Sequence, residues 1–113
     1  MPISPIPRNL LPHSGTYKRL TGLDARGKKT FASDVSVSYV RHEKAKQNAL
    51  TAFGEQKNDL LLLFYDCMNS YPAGIVPVPG DVFVFDGQEY TVRSSTPEYT
   101  VYGMPHHYEV NLV

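Results

Sequence analysis

The sequence predicts an all-β fold, a small antiparallel barrel or sandwich of about five to seven strands with long loops and an extended N-terminal arm. Three observations lead there. The aromatic residues, 8 Tyr and 5 Phe with no Trp, suit a pleated, half-buried surface better than a helix. Nine Pro and eight Gly in 113 residues leave little room for a long helix. Apolar residues also recur at every second position in several stretches, which is the period of a strand. A chain of this length builds one hydrophobic core, so the expected organisation is an arm over residues 1–12 and a single barrel domain over residues 13–113.

The arm carries Pro2, Pro5, Pro7 and Pro12 and only one charged residue, Arg8. Proline fixes φ and removes a donor, so this stretch is expected to be extended. Disordered tails carry fewer aliphatics. Ile3, Ile6, Leu10 and Leu11 are therefore expected to lie along a neighbouring surface. Ser14 to Leu20 reads as the first strand, and Thr21 to Lys29 as a polar loop punctuated by Gly22 and Gly27. From Thr30 onward, Phe31, Val35, Val37 and Tyr39 share one face while Ala32, Asp34, Ser36 and Ser38 share the other, the pattern of a half-buried strand. Glu43 to Phe53 is rich in helix formers. It runs into Gly54-Glu55-Gln56-Lys57, a turn leading straight into the next strand, so a hairpin arm is preferred there over a short helix.

Leu60 to Tyr65 is apolar on both faces, so one face should meet the core and the other a further element or subunit. Leu61 and Leu63 are the candidate contact residues. Asp66 to Pro79 reads as an irregular connection. Asp81 to Arg93 carries the strongest local signal. Asp86-Gly87 supplies the positive φ angles of a two-residue hairpin turn, placing Phe85 opposite Gln88 and Phe83 opposite Tyr90. Phe83, Phe85, Tyr90 and Val92 then share the core face. Ser94 to Pro105 reads as a loop with a short strand at Tyr99 to Tyr102, whose two tyrosines are further candidates for contact with other subunits. In the closing strand, His107 to Val113, Tyr108, Val110 and Leu112 point inward and His107, Glu109 and Asn111 outward.

Formal net charge is zero, which argues against a strong nucleic-acid binder. The charge is unevenly spread. Residues 1–57 hold ten Lys/Arg and four acids, whereas residues 58–113 hold Arg93 and seven acids. Either the fold mixes the two halves into an ordinary surface, or the subunit has a basic side and an acidic side suited to side-by-side packing.

The sequence offers little catalytic chemistry. Cys67 has no cysteine partner, and the neighbouring Asp66 should raise its pKa, the wrong direction for a nucleophile. His106 and His107 are adjacent, so in a strand they point to opposite faces. No Cys-x-x-Cys or His-x-x-x-His spacing, nucleophile elbow or phosphate-binding glycine loop occurs. No enzymatic activity, cofactor or metal is expected. The longest apolar run, Leu60 to Tyr65, is too short to span a bilayer, and prolines stand where a signal peptide would need apolar residues. Assembly in the cytoplasm without a membrane role is expected. A monomeric barrel that binds single-stranded nucleic acid is the alternative, weakened because Lys28, Lys29, Lys44, Lys46 and Lys57 sit apart from most aromatics.

Leu63-Phe64-Tyr65-Asp66-Cys67-Met68-Asn69-Ser70, Gly80-Asp81 through Asp86-Gly87 to Tyr90-Thr91-Val92, and His106-His107-Tyr108-Glu109-Val110 before Leu112 together resemble the minor capsid protein family of long-tailed phages and prophages. Leu10-Leu11-Pro12-His13 before a short strand belongs to the same pattern. The resemblance covers most of the chain and is weakest from Glu43 to Lys57. It implies a head-completion or stopper subunit at the virion neck. Such a subunit forms a ring, expected to be dodecameric, contacts portal or adaptor and tail proteins, and meets packaged double-stranded DNA without sequence specificity. Related stoppers project a long loop into the channel, for which Glu43–Lys57 is the candidate here, with Lys44, Lys46, Gln47, Gln56 and Lys57 facing DNA. The Pro-rich arm would grip the adjacent ring.

Overall fold

The computed structural model describes residues 5–45, 60–99 and 103–113. These form eight strands: β1 (His13–Lys18), β2 (Leu20–Leu23), β3 (Lys29–Phe31), β4 (Val35–Lys44), β5 (Leu61–Asp66), β6 (Val82–Phe85), β7 (Gln88–Tyr99) and β8 (Pro105–Leu112). Six of them close an antiparallel barrel in the order β1-β4-β5-β8-β7-β6, with β1 returning to pair with β6. β2 and β3 pair only with each other, as a ribbon outside the barrel. One turn of 3-10 helix at Arg8–Leu10 precedes the first strand. The expected small all-β barrel is the fold observed, while the described part of the segment expected to be extended contains the 3-10 turn at Arg8–Leu10.

The hairpin at Asp86-Gly87 forms in the expected register, Phe85 opposite Gln88 and Phe83 opposite Tyr90. Asp86 and Gly87 both adopt positive φ, 52° and 78°, which matches the twist of the flanking strands. Its apolar face enters a core made of Tyr17, Val37, Val40, Leu63, Tyr65, Phe83, Phe85, Val92, Val110 and Leu112. β8 alternates as expected, with Val110 and Leu112 fully buried and Tyr108 packed against the core.

Four expectations need correction. Thr21 to Lys29, expected to be a polar loop, instead supplies most of β2 and the first residue of β3. The strand expected to run unbroken from Thr30 to Tyr39 divides into β3 and β4, and Phe31 leaves the barrel with the ribbon. Tyr39 is not in the core. It bulges out of β4 at φ 54°, so that His13 pairs with Val40 and Ser14 with Ser38, and Val40 takes the inward position. A bulge shifts the two-residue alternation by one place, and no local pattern marked it. The stretch expected to be a loop from Ser94 to Pro105 is strand as far as Tyr99, because β8 pairs with it along its length. Pro97 is tolerated there because β6 pairs with β7 only at residues 88–91, leaving that half of β7 one side without a ladder. The connection from Ala45 to Leu60 joins two paired strands, with Ala45 N–H donating to the Leu60 carbonyl. The hairpin or helix considered for residues 46–59 lies outside the described residues.

The barrel closes at the β1–β6 seam. There a Cβ on Gly15 would overlap the Val84 carbonyl oxygen and the Phe85 ring, so only glycine allows the two strands to approach. The end of the seam is fixed by Asp81, which is fully buried. Its carboxylate accepts hydrogen bonds from Tyr17 Oη (2.5 Å), Leu20 N (2.9 Å) and Val78 N (3.0 Å). A buried carboxylate is tolerable only when so satisfied. Two predictions follow from this geometry. Gly15→Ala overpacks the seam and should lower unfolding free energy in urea by about 1–3 kcal/mol. Tyr17→Phe leaves Asp81 short of one donor and should cost about 1–3 kcal/mol in the same measurement.

Candidate interaction surfaces

With the edges closed, chemistry and contacts fall to the arm, the outer face of the barrel and the ribbon. The described part of the arm packs on its own barrel. Asp66 ends β5 fully buried, and its carboxylate accepts from Ile6 N (3.0 Å), Met68 N (3.0 Å) and Asn69 N (2.7 Å). Asn69 Nδ2 returns a hydrogen bond to the Ile6 carbonyl at 2.8 Å. Ser70 Oγ donates to the Tyr39 carbonyl at 2.5 Å and accepts from Asp66 N at 2.8 Å, which joins the turn after β5 to the bulge in β4. The Arg8 guanidinium lies over the Tyr39 ring, 4.7 Å from its centroid, a cation–π contact that gives the displaced tyrosine a partner. The Asp66 and Asp81 anchors were missed by sequence reasoning, which counted both as surface charge. The usable signal was local: each aspartate sits where a strand meets a turn whose N–H groups need an acceptor.

Leu11 is 1% exposed yet lies outside the core cluster. With Ile6, Leu10, Arg41, Glu43 and Phe64 it lines an open groove on the barrel's outer side. The arm's own barrel thus takes up Ile6 and Leu11, which were expected to meet a neighbour, while Leu10 stays half exposed. Leu61 and Leu63 were assigned to the wrong face of β5. Leu63 is at the centre of the core and Leu61 packs against it. Leu62 and Phe64 point outward instead, because two-residue alternation cannot say which of two apolar faces is inner. Tyr99 ends β7 largely exposed, and Lys44 is exposed at the end of β4. Ile3, Tyr102, Lys46, Gln47, Gln56 and Lys57 lie outside the described residues.

On the outer face of the β4–β5–β8–β7 sheet, cross-strand rows can be read directly. Arg41, Phe64, Glu109 and Thr96 form one row, Glu43, Leu62, Asn111 and Ser94 the next, and Asp66, His107 and Glu98 a third. The matching family model is that of the minor capsid proteins, and it covers residues 7–112. The chain belongs to the minor capsid protein family. It is therefore a structural component of a phage virion. No curated protein matches it.

The strand order decides what the split charge of this minor capsid protein means in space. β1 and β4 are neighbours, as are β5, β8, β7 and β6, so the basic and acidic halves of the sequence occupy separate arcs of the barrel. Burial of Asp66 and Asp81 reduces the acidic arc to Asp86, Glu89, Glu98 and Glu109, against the one exposed base Arg93, among the described residues. Lys18 reaches across the seam to Glu89 at 3.4 Å, an exposed pair of small energetic weight.

Titratable groups in the minor capsid protein are arranged for structure. Cys67 is half-buried, and burial first and Asp66 second push its thiol up, away from thiolate reactivity. His13 and His42 stack with centroids 3.8 Å apart, and His42 also rests on Phe85 at 4.6 Å. Burial, then His13, pushes the His42 pKa down against the opposing pull of Asp86. Burial and His106 lower that of His107, partly offset by Glu98 and Asp66. Among the described residues no three His, Cys, Asp or Glu side chains gather into a metal-binding group.

Asp66→Ala would strand three backbone donors. It should lower unfolding free energy by about 1–3 kcal/mol and accelerate tryptic cleavage after Arg8, followed by mass spectrometry. The lowered histidine pKa values predict a pH dependence. Unfolded His42 and His107 take up protons below about pH 6.5 while the folded rings resist, so the unfolded state binds more protons and stability falls as pH drops from about 7 to 5. His42→Gln should flatten part of that slope in urea titrations run across the same range.

Proposed function

We propose that this minor capsid protein is a noncatalytic neck subunit of head-completion or stopper type. It assembles into a ring, expected to be dodecameric, beneath portal or adaptor. There it continues the DNA channel, offers the tail a docking surface and helps retain packaged double-stranded DNA. Assembly takes place in the host cytoplasm before the particle is complete. The observation that carries this reading is the division of charge around the barrel. A surface that is basic on one arc and acidic on the other is complementary to a second copy turned the same way round. Such a heterologous contact closes into a ring when the rotation between copies closes. Closure also pairs most of the barrel's hydrogen-bonding edges, leaving the far half of β7 and the ribbon as open backbone among the described residues, so contacts run mainly through side chains, the ribbon and the segments between strands. Lys44, at the barrel end where the chain departs toward Lys46, Gln47, Gln56 and Lys57, is where a channel-facing segment would begin.

The alternative, a monomer that binds single-stranded nucleic acid, draws on one feature: Arg26, Lys28 and Lys29 stand on the ribbon close to the exposed ring of Phe31. Imaging of virions with the protein tagged, together with native mass measurement of the protein alone and with portal, separates the two. Density at the neck and rings in solution, loosened by raised salt, are the expected results. A protein missing from the neck, monomeric in both measurements and binding single strands with steep salt dependence, would refute the neck reading.

A further inference from the structure

The β2–β3 ribbon has no task in closing the barrel, yet it is built to hold its shape. Leu20 N–H is tied to Asp81 at 2.9 Å, and Ala32 N–H closes the ribbon's base on the Arg19 carbonyl at 2.8 Å. At the tip, Asp24 Oδ1 accepts from Arg26 N (2.8 Å) and Lys28 N (2.9 Å), which folds the turn and occupies its acid. What remains outward is basic and apolar: Arg26, Lys28 and Lys29, with Leu23 66% and Phe31 36% exposed. A two-stranded hairpin is marginally stable by itself in water, and one that exposes both aliphatic and aromatic side chains is short of a partner.

A surface of matching chemistry lies on the opposite side of the barrel. The ribbon continues β1, and β8 stands three strands from β1 in either direction around the six-stranded order. There Glu98 of β7 and Glu109 of β8 occupy adjacent outward rows. Glu109 holds its proton more tightly than a free glutamate, through burial first and then the nearby Glu98. His107 Nε2 lies 3.7 Å from Glu109 Oε2, but that ring is itself biased toward neutrality. Tyr99 and Met104, 63% and 71% exposed, stand at the end of the β7–β8 ladder next to Glu98.

We propose that the β2–β3 ribbon of one copy docks on the outward β7–β8 face of the next. Lys28, Lys29 and Arg26 meet Glu98 and Glu109, while Leu23 and Phe31 pack near Tyr99 and Met104. The occupant of each surface is a second copy of this chain, and the contact rests on the ring reading above. Patches on opposite sides of the barrel make the contact heterologous, as ring closure requires. The added cations relieve the crowding of two carboxylates, and the desolvated apolar side chains supply the non-directional part of the attraction.

The experiment compares wild type, K28E/K29E, E98K/E109K and an equimolar mixture of the two variants, by native mass spectrometry and light scattering, alone and with portal. Unchanged thermal midpoints establish that the variants fold, and E98Q/E109Q serves if the lysine pair does not. Each variant alone should need on the order of tenfold more protein to assemble. A 1:1 mixture should recover much of that loss, because when the two variants alternate every junction brings opposite charges together. Wild-type rings with K28E/K29E unaffected would overturn this contact and leave the neck reading intact. A wild type that stays monomeric alone and with portal would overturn both. Loss of oligonucleotide binding in K28E/K29E without any change in assembly would assign the ribbon to nucleic acid instead.

Discussion

The constraint on which the structure depends is closure of the sheet at the seam between β1 and β6. An open six-stranded sheet of this composition would present two edges of unpaired backbone groups, which recruit other chains indiscriminately. Closure removes both edges, but it needs two strands far apart in sequence to meet closely and stop in register. Gly15 allows the approach, since no side chain intervenes between its backbone and Val84. Asp81 fixes the end point by gathering Tyr17, Leu20 and Val78 around one carboxylate. The seam's stability therefore rests on a steric permission and on a buried charge that is fully solvated by the protein itself.

Asp66 repeats the device on the other side of the barrel and gives it a different use. At the seam the buried carboxylate holds strand to strand. After β5 it holds the turn Met68–Ser70 and the incoming arm at Ile6. The Tyr39 bulge belongs to the same assembly, because its carbonyl receives Ser70 and its ring receives Arg8. A left-handed tyrosine costs roughly 1–3 kcal/mol, and these partners are what hold it there. The arm is thereby part of the subunit's own surface along residues 5–11, and it shapes the outer groove beside Phe64.

The barrel core is filled by side chains, burial raises the Cys67 thiol, and His42 and His107 are biased toward neutral rings. What varies around the barrel is charge. The strand order turns a difference between the two halves of the sequence into a difference between two sides of the molecule, and polarity of that kind suits a subunit repeated head to tail. The ribbon adds a stiff projection on the basic side, beyond the barrel wall.

By itself the sequence determined the elements whose physics is local. The Asp86-Gly87 turn dictates its own hairpin register, since only those residues accept the required φ angles cheaply, and the alternation of Tyr108, Val110 and Leu112 dictates the inward face of β8. The motif pattern from Leu10 to Leu112 was also enough to point to the family. Only the tertiary structure decided the rest. Which face of Leu61–Tyr65 is inner depends on what the strand packs against, so Leu63 went to the core and Phe64 outward. The Tyr39 bulge depends on partners from residues 8 and 70. The strand character of Ser94–Tyr99 depends on β8, and Asp66 and Asp81 became buried anchors because distant backbone donors converge on them. Even the meaning of the charge split waited on strand order. Pairing between residues far apart in sequence carries the deciding energy in each of these cases, and no window of neighbouring residues contains it.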